Sequence, residues 1–173
     1  MTQSKDFSLR ALFDALDAQR QARGLSWSQV IKEMHEMHQR PATARRLSAS
    51  TMTGTRTRSA AEGDGVLAML RWLNRTPESF MPGHRESEQT DARLPNVPPG
   101  KVLRFDSRKI YAALDALRIE RKMTWAEVAK EIGTNSASLL HLSKGKRVVF
   151  PGVMRILRWL GRPAADFTRA SDN

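Results

Sequence analysis

Apolar residues in the second half of the chain recur at helical spacing. Ile110, Ala113, Leu114 and Leu117 mark one face of an amphipathic helix over about residues 107–122. A second helix is expected from Thr124, because "TWAE" offers a hydroxyl cap with Glu127 three residues on. It buries Val128, Ala129 and Ile132, then meets Gly133, which suits the left-handed conformation that ends a helix. "TNSASLLHLSKG" follows as a short helix with Thr134 and Asn135 as cap candidates, anchored by Leu139 and Leu142 and stopped at Gly145. Pro151 suits the first turn of a fourth helix, Val153 to Leu160, which exits at Gly161, and Phe167 closes the core behind a last short turn.

The same pattern occurs earlier. Residues 11–34, "ALFDALDAQRQARGLSWSQVIKEM", shifted by 98 positions fall on "KIYAALDALRIERKMTWAEVAKEI" with 10 identities in 24 positions. "MLRWLNRTPESF" (69–80) falls on "ILRWLGRPAADF" (156–167) at an offset of 87. The two offsets differ by 11, so the chain is a duplicated unit whose first copy carries an 11-residue insertion within about residues 35–47, ahead of its third helix. Asn74 stands where the second copy has Gly161; both tolerate positive φ. Ser26 and Gln29 repeat the cap of Thr124 and Glu127. The second helix of copy 1, lacking the Gly133 turn, is expected to run on to Arg40 before Pro41 breaks it.

These patterns predict an all-α fold: two tandem domains of four to five helices, residues 7–82 and 104–168. They are joined by a Pro-containing linker, 83–103, that reads as exposed.

Composition changes the picture in two respects. Only 6% of residues are aromatic against 40% apolar, so the cores are aliphatic. Lys and Arg number 29 against 18 Asp and Glu, a formal charge of +11, which favours a polyanionic partner such as nucleic acid. Cysteine is absent, which excludes disulfides and thiolate zinc sites. No signal-type apolar region or stretch long enough to span a membrane is evident, so a cytoplasmic protein is expected.

The segment 128–147, "VAKEIGTNSASLLHLSKGKR", resembles the helix-turn-helix core of the lambda-repressor and Cro type, the xenobiotic-response-element (XRE) regulators. The matching features are the small Ala129, Gly133 at the turn, apolar Leu139 and Leu142, and Gly145 followed by a basic pair. "ALDAQR", "SW" and "LRWLGRP" are similar to signatures of small bacterial regulators of this type. The resemblance implies a DNA-binding transcriptional regulator whose third helix enters the major groove of double-stranded DNA, with no cofactor.

Carried over by position, Ser136, Ala137 and His141 would face bases, with Ser138 on the same face, while Asn135, Lys144, Lys146 and Arg147 would sit nearer phosphates. Ser136 and Ser138 suit ordinary helix capping as well. In copy 1 the counterpart is "SASTMTGTRTR" (48–58), which shares Ser48, Ala49 and Ser50 with "SAS" of copy 2. Arg45, Arg46, Arg56 and Arg58 offer a phosphate-binding loop or a solvated basic surface. Members of the family often carry glutamine near the start of the second helix, where this chain has Trp27 and Trp125. Their rings suit either a sugar-phosphate contact or the edge of the core, and the core is the reading we favour.

Other chemistry is not expected. "HEMH" (35–38) has the wrong spacing for a zincin and no third ligand nearby. Asp17 and Asp115 are placed to pair with Arg20 and Arg118. No nucleophile elbow or phosphate loop is present, so an enzyme is not expected.

Because the two third helices differ, a site with two unlike halves is expected. Covalent linkage lets a monomer, or a weak homodimer, bind both halves at high effective concentration. The competing reading is an antitoxin-like or adaptor module that uses the same fold to bind a protein partner. It is motivated by Leu140 beside His141.

Overall fold

The computed structural model describes residues 6–38, 48–83 and 93–172. It is mostly helical, with eight α-helices and four short strands among the described residues. No helix there is long and apolar enough to cross a membrane.

Each element of copy 1 has its counterpart in copy 2. The first helices, α1 (Leu9–Ala22) and α5 (Ser107–Glu120), are capped by Ser8, whose hydroxyl accepts the Ala11 N–H, and by Asp106, whose carboxylate accepts that of Lys109. The second helices, α2 (Trp27–His38) and α6 (Trp125–Ile132), begin at the expected boxes, with Gln29 reaching back to Ser26 and Glu127 to Thr124. Gly133, at φ 76°, stops α6, whereas α2 lacks that glycine and continues to His38. Its expected continuation to Arg40 and Pro41 lies outside the described residues.

The third helices, α3 (Ala49–Gly54) and α7 (Ser136–His141), are short, and the closing helices are α4 (Gly63–Leu73) and α8 (Gly152–Leu160). Pro151 sits at the cap of α8 rather than within its first turn. Asn74 (φ 52°) and Gly161 (φ 65°) end the closing helices in the left-handed conformation. One-turn 3₁₀ segments follow, Pro77–Phe80 and Ala164–Phe167, and bury Phe80 and Phe167. The carbonyls of these two phenylalanines accept the N–H groups of Ser8 and Asp106, so each copy closes on the start of its own first helix.

The expectation of helices alone misses four strands. Val102–Phe105 (β2) pairs antiparallel with Thr168–Ser171 (β4), with Val102 opposite Ser171 and Phe105 opposite Thr168. Val102 and Leu103, assigned to the linker by sequence, are buried. Leu94 and Val97 of the same segment pack against the core, because apolar side chains in an otherwise polar stretch have somewhere to go.

Ala61–Glu62 (β1) pairs antiparallel with Val149–Phe150 (β3) and joins the two copies directly. Phe150 precedes Pro151, a placement that pushes backbone towards the extended region.

This junction follows an approximate two-fold relation. At the offset of 87 residues, Glu62 is equivalent to Val149, and these two residues face each other in the ladder. An antiparallel pair that matches a position with its own counterpart is the pattern an isologous contact makes. The aromatic packing obeys the same relation. Phe7 lies 4.7 Å from Phe150, ring centre to ring centre. Its counterpart Phe105 lies against Gly63, the position equivalent to Phe150. Phe105 also reaches Phe150 at 5.6 Å, so three linked rings belong to the core cluster that runs through both copies, an aromatic group within the core that composition led us to expect as aliphatic. Polar contacts flank it: Arg104 pairs with Asp64 at 3.0 Å, Arg155 lies 3.7 Å from Asp6, and Glu78 accepts the Ala164 N–H at 2.6 Å.

Candidate nucleic-acid interface

The surface built by α6, the Gly133 turn and α7 starts from its caps. The Thr124 N–H and hydroxyl hold the Glu127 carboxyl below the usual carboxylate range and lock the start of α6. Asn135 is the cap of α7, and its side-chain oxygen accepts the Ser138 N–H at 2.8 Å. That oxygen is therefore committed to the helix, and only the amide NH₂ is left to donate outward. Leu139 and Leu142 are buried and pin α7 to the core. Ala137, Ser138, His141, Lys144 and Lys146 are exposed, and Ser136 is half-buried at the first turn.

Arg147 has partners within the protein. Its guanidinium lies 3.7 Å from the carboxylates of both Glu62 and Asp64, which copy 1 contributes through β1 and α4. Two carboxylates thus attend an otherwise exposed guanidinium, whereas Lys144 and Lys146 stand at the same surface without such a contact among the described residues. Arg108, on α5, also stands at this surface, and sequence reasoning missed it. Its Nε lies 3.0 Å from where a Cβ on Gly145 would stand, so the glycine that ends this segment also makes room for an exposed cation. The Gly145 turn was its only sequence signal. Beside α7, a recess of about 550 Å³ is bordered by Ser138, His141 and Lys146 on one side and by Ser59 and Ala60 of copy 1 on the other.

Copy 1 repeats the frame with different contents. Ser48 caps α3 by accepting the Thr51 N–H, which makes it the counterpart of Asn135 rather than of Ser136. The shared "SAS" is therefore one residue out of step: Ala49 matches Ser136 and Ser50 matches Ala137. Met52 and Thr55 fill the sites of Leu139 and Leu142, and the Thr55 hydroxyl bonds to the Thr51 carbonyl at 3.0 Å so that it can be buried. Ser48, Ala49, Ser50, Arg56 and Arg58 are exposed.

Gly54 stands at the position of His141, and the Arg58 guanidinium folds back over it, 3.2 Å from where a Cβ would be. Copy 1 thus presents a guanidinium where copy 2 presents an imidazole. Arg45 and Arg46 lie outside the described residues.

The two tryptophans at the starts of α2 and α6 belong to the frame. Trp27 stacks on Phe13 at 5.5 Å and lies under the Arg20 guanidinium; Trp125 stacks on Tyr111 at 5.2 Å under that of Arg118. Each arginine is held by the expected aspartate, Asp17 or Asp115, at 2.7 Å. Each also donates to the carbonyl of Leu25 or Met123, which fixes the turn between first and second helices. The core-edge placement of both rings follows from these contacts.

Comparison of the chain with protein-family models, with curated proteins and with solved structures yielded no match.

Proposed function

We propose that the chain is a DNA-binding transcriptional regulator with two non-identical helix-turn-helix units, α2–α3 and α6–α7, that place α3 and α7 in the major groove at two half-sites. The observation that carries this reading is the pair of equivalent short helices with exposed polar faces of different chemistry. Ala49, Ser50 and Arg58 over Gly54 stand against Ser136, Ala137 and His141, on a chain of net charge +11. The two-fold relation at the Glu62 and Val149 pair adds an orientation: the half-sites run in opposite directions and differ in sequence.

The test is fluorescence anisotropy with random duplex DNA at two salt concentrations, followed by selection of bound sequences from a random pool. Affinity that falls steeply with salt and selected sites with two unlike, inverted halves support the reading. Binding indifferent to salt, or a perfect palindrome held by a dimer, would overturn it.

A second reading rests on Leu140, which is 41% exposed on α7 between polar neighbours. An apolar residue there suits a protein partner of an antitoxin-like or adaptor module, and such binding would persist at high salt.

A further inference from the structure

The arginine-bearing end of the closing helix occurs twice, in different company. In copy 2, Arg158 and Arg162 border a recess of about 440 Å³ together with Glu78. Arg162 is ion-paired with Asp166 at 2.9 Å, so carboxylates attend this end.

In copy 1 the equivalent residues are Arg71 and Arg75, and the position of Asp166 is taken by Ser79. Arg93 joins them from the segment that follows the closing turn, and with Asn74, Thr76 and Asn96 they border a cavity of about 730 Å³. No acidic residue is among the described residues that line it. Arg75 is oriented by the Phe80 ring, 4.5 Å beneath its guanidinium carbon. Thr76 is only 4% exposed, and its hydroxyl has no hydrogen-bond partner among the described residues, an uncommon state for a buried polar group. Burial lowers the proton affinity of Arg71, as expected of a cation held partly out of water. Met37, Leu70 and Pro95 supply an apolar wall.

We propose that this cavity is a binding site for a phosphorylated small organic molecule, with Arg75 and Arg93 on its phosphate and the apolar wall against its body. Guanidinium groups suit this task because their paired N–H groups match two phosphate oxygens at once. A cavity with a few convergent polar groups and an apolar wall is the usual form of such sites. Copy 2 serves as the internal control, since there Arg162, the equivalent of Arg75, is held by Asp166.

The test is isothermal titration of the full chain with inorganic pyrophosphate at physiological ionic strength. Parallel titrations use Arg93→Gln, Arg75→Gln and, in copy 2, Arg162→Gln. We expect saturable binding of one pyrophosphate per chain, weakened at least about tenfold by Arg93→Gln or Arg75→Gln and unchanged by Arg162→Gln. Arg93 is exposed, so its variant tests the site even if Arg75→Gln disturbs the fold. Absence of binding, or binding at several sites that all three variants weaken alike, would overturn the proposal and assign the effect to the diffuse positive charge. DNA affinity measured on Arg93→Gln separates this cavity from the proposed DNA surface, because its loss there would make the arginines part of that surface instead.

Discussion

Trp72 donates its indole N–H to the Glu33 carboxylate at 2.8 Å, and Trp159 makes the same bond to Glu131 at 2.7 Å. The bond ties the closing helix to the second helix in each copy, and an arginine lies over each indole: Arg23 over Trp72 and Arg121 over Trp159. This is why "RWL" is written twice. In copy 1, Arg23 also grips Glu33 with both ends of its guanidinium, at 2.7 and 2.8 Å.

The hydrogen bonds from Arg23 and then from Trp72 hold the Glu33 carboxyl below the usual glutamate range. A carboxylate lowered in the folded state contributes stability that is full above its unfolded pKa, about 4.3, and is lost as pH falls through the folded value. Urea midpoints of the parent and of Glu33→Gln should therefore differ by a constant amount above about pH 5 and converge in more acid solution. Solvent reaches this pair, so the gap should stay below about 1 kcal/mol. A gap that widens with acid would contradict the assignment.

Asn74 and Gly161 solve one terminus in two ways, and both hold positive φ. Asn74→Gly should change stability by only a few tenths of a kcal/mol, whereas Asn74→Ala and Gly161→Ala should each cost about 1 kcal/mol. Thermal unfolding of the three variants checks this, and equal costs for Asn74→Gly and Asn74→Ala would remove the left-handed backbone as the cause.

At the junction of the copies, a Cβ on Gly63 would lie 3.0 Å from the Val148 carbonyl oxygen and 3.2 Å from the Phe105 ring. The oxygen belongs to the β1–β3 contact and cannot retreat without loosening it. Gly63→Ala should cost roughly 1–3 kcal/mol, and Phe150→Ala, which empties a fully buried site, roughly 3–5 kcal/mol. Denaturant unfolding measures both; a neutral Gly63→Ala would mean that the strands part easily.

On the proposed DNA surface, Lys144 and Lys146 are exposed while Arg147 is engaged by Glu62 and Asp64. Lys144→Ala and Lys146→Ala should each reduce the slope of log affinity against log salt by about 0.9 where they neutralise a phosphate. Arg147→Ala should reduce it less. Slopes from anisotropy titrations over a series of salt concentrations decide the order, and a larger loss for Arg147 would show that DNA displaces its carboxylates.

Much of the helical frame is legible locally. A hydroxyl three residues before Glu127, a glycine after Ile132 and the matched Asn74 and Gly161 each report on a few neighbouring residues. The strands are not legible that way, because segments of two to four residues such as Ala61–Glu62 exist only through partners far along the chain. Arg147 reads as a phosphate ligand from its own neighbourhood, and its carboxylates, Glu62 and Asp64, arrive from the other copy. Arg108 and Arg93 were missed for the same reason: what makes them notable is a glycine or a cavity elsewhere. Phe7, Phe105 and Phe150 lie outside the helical pattern that defines each copy, and nothing near them in sequence shows that their rings meet.

That junction also bears on the origin of the arrangement. Two identical chains meeting about an axis must place the same side chain on both sides of it, so any residue there has to fit beside itself. Fusion removes the constraint, and one copy can grow a large ring while the other is trimmed to a hydrogen atom. Positions 63 and 150 are equivalent, yet one carries a glycine that leaves room for the Phe105 ring and the other a buried phenylalanine. A gene encoding either half alone would inherit a face shaped for a neighbour it could not supply.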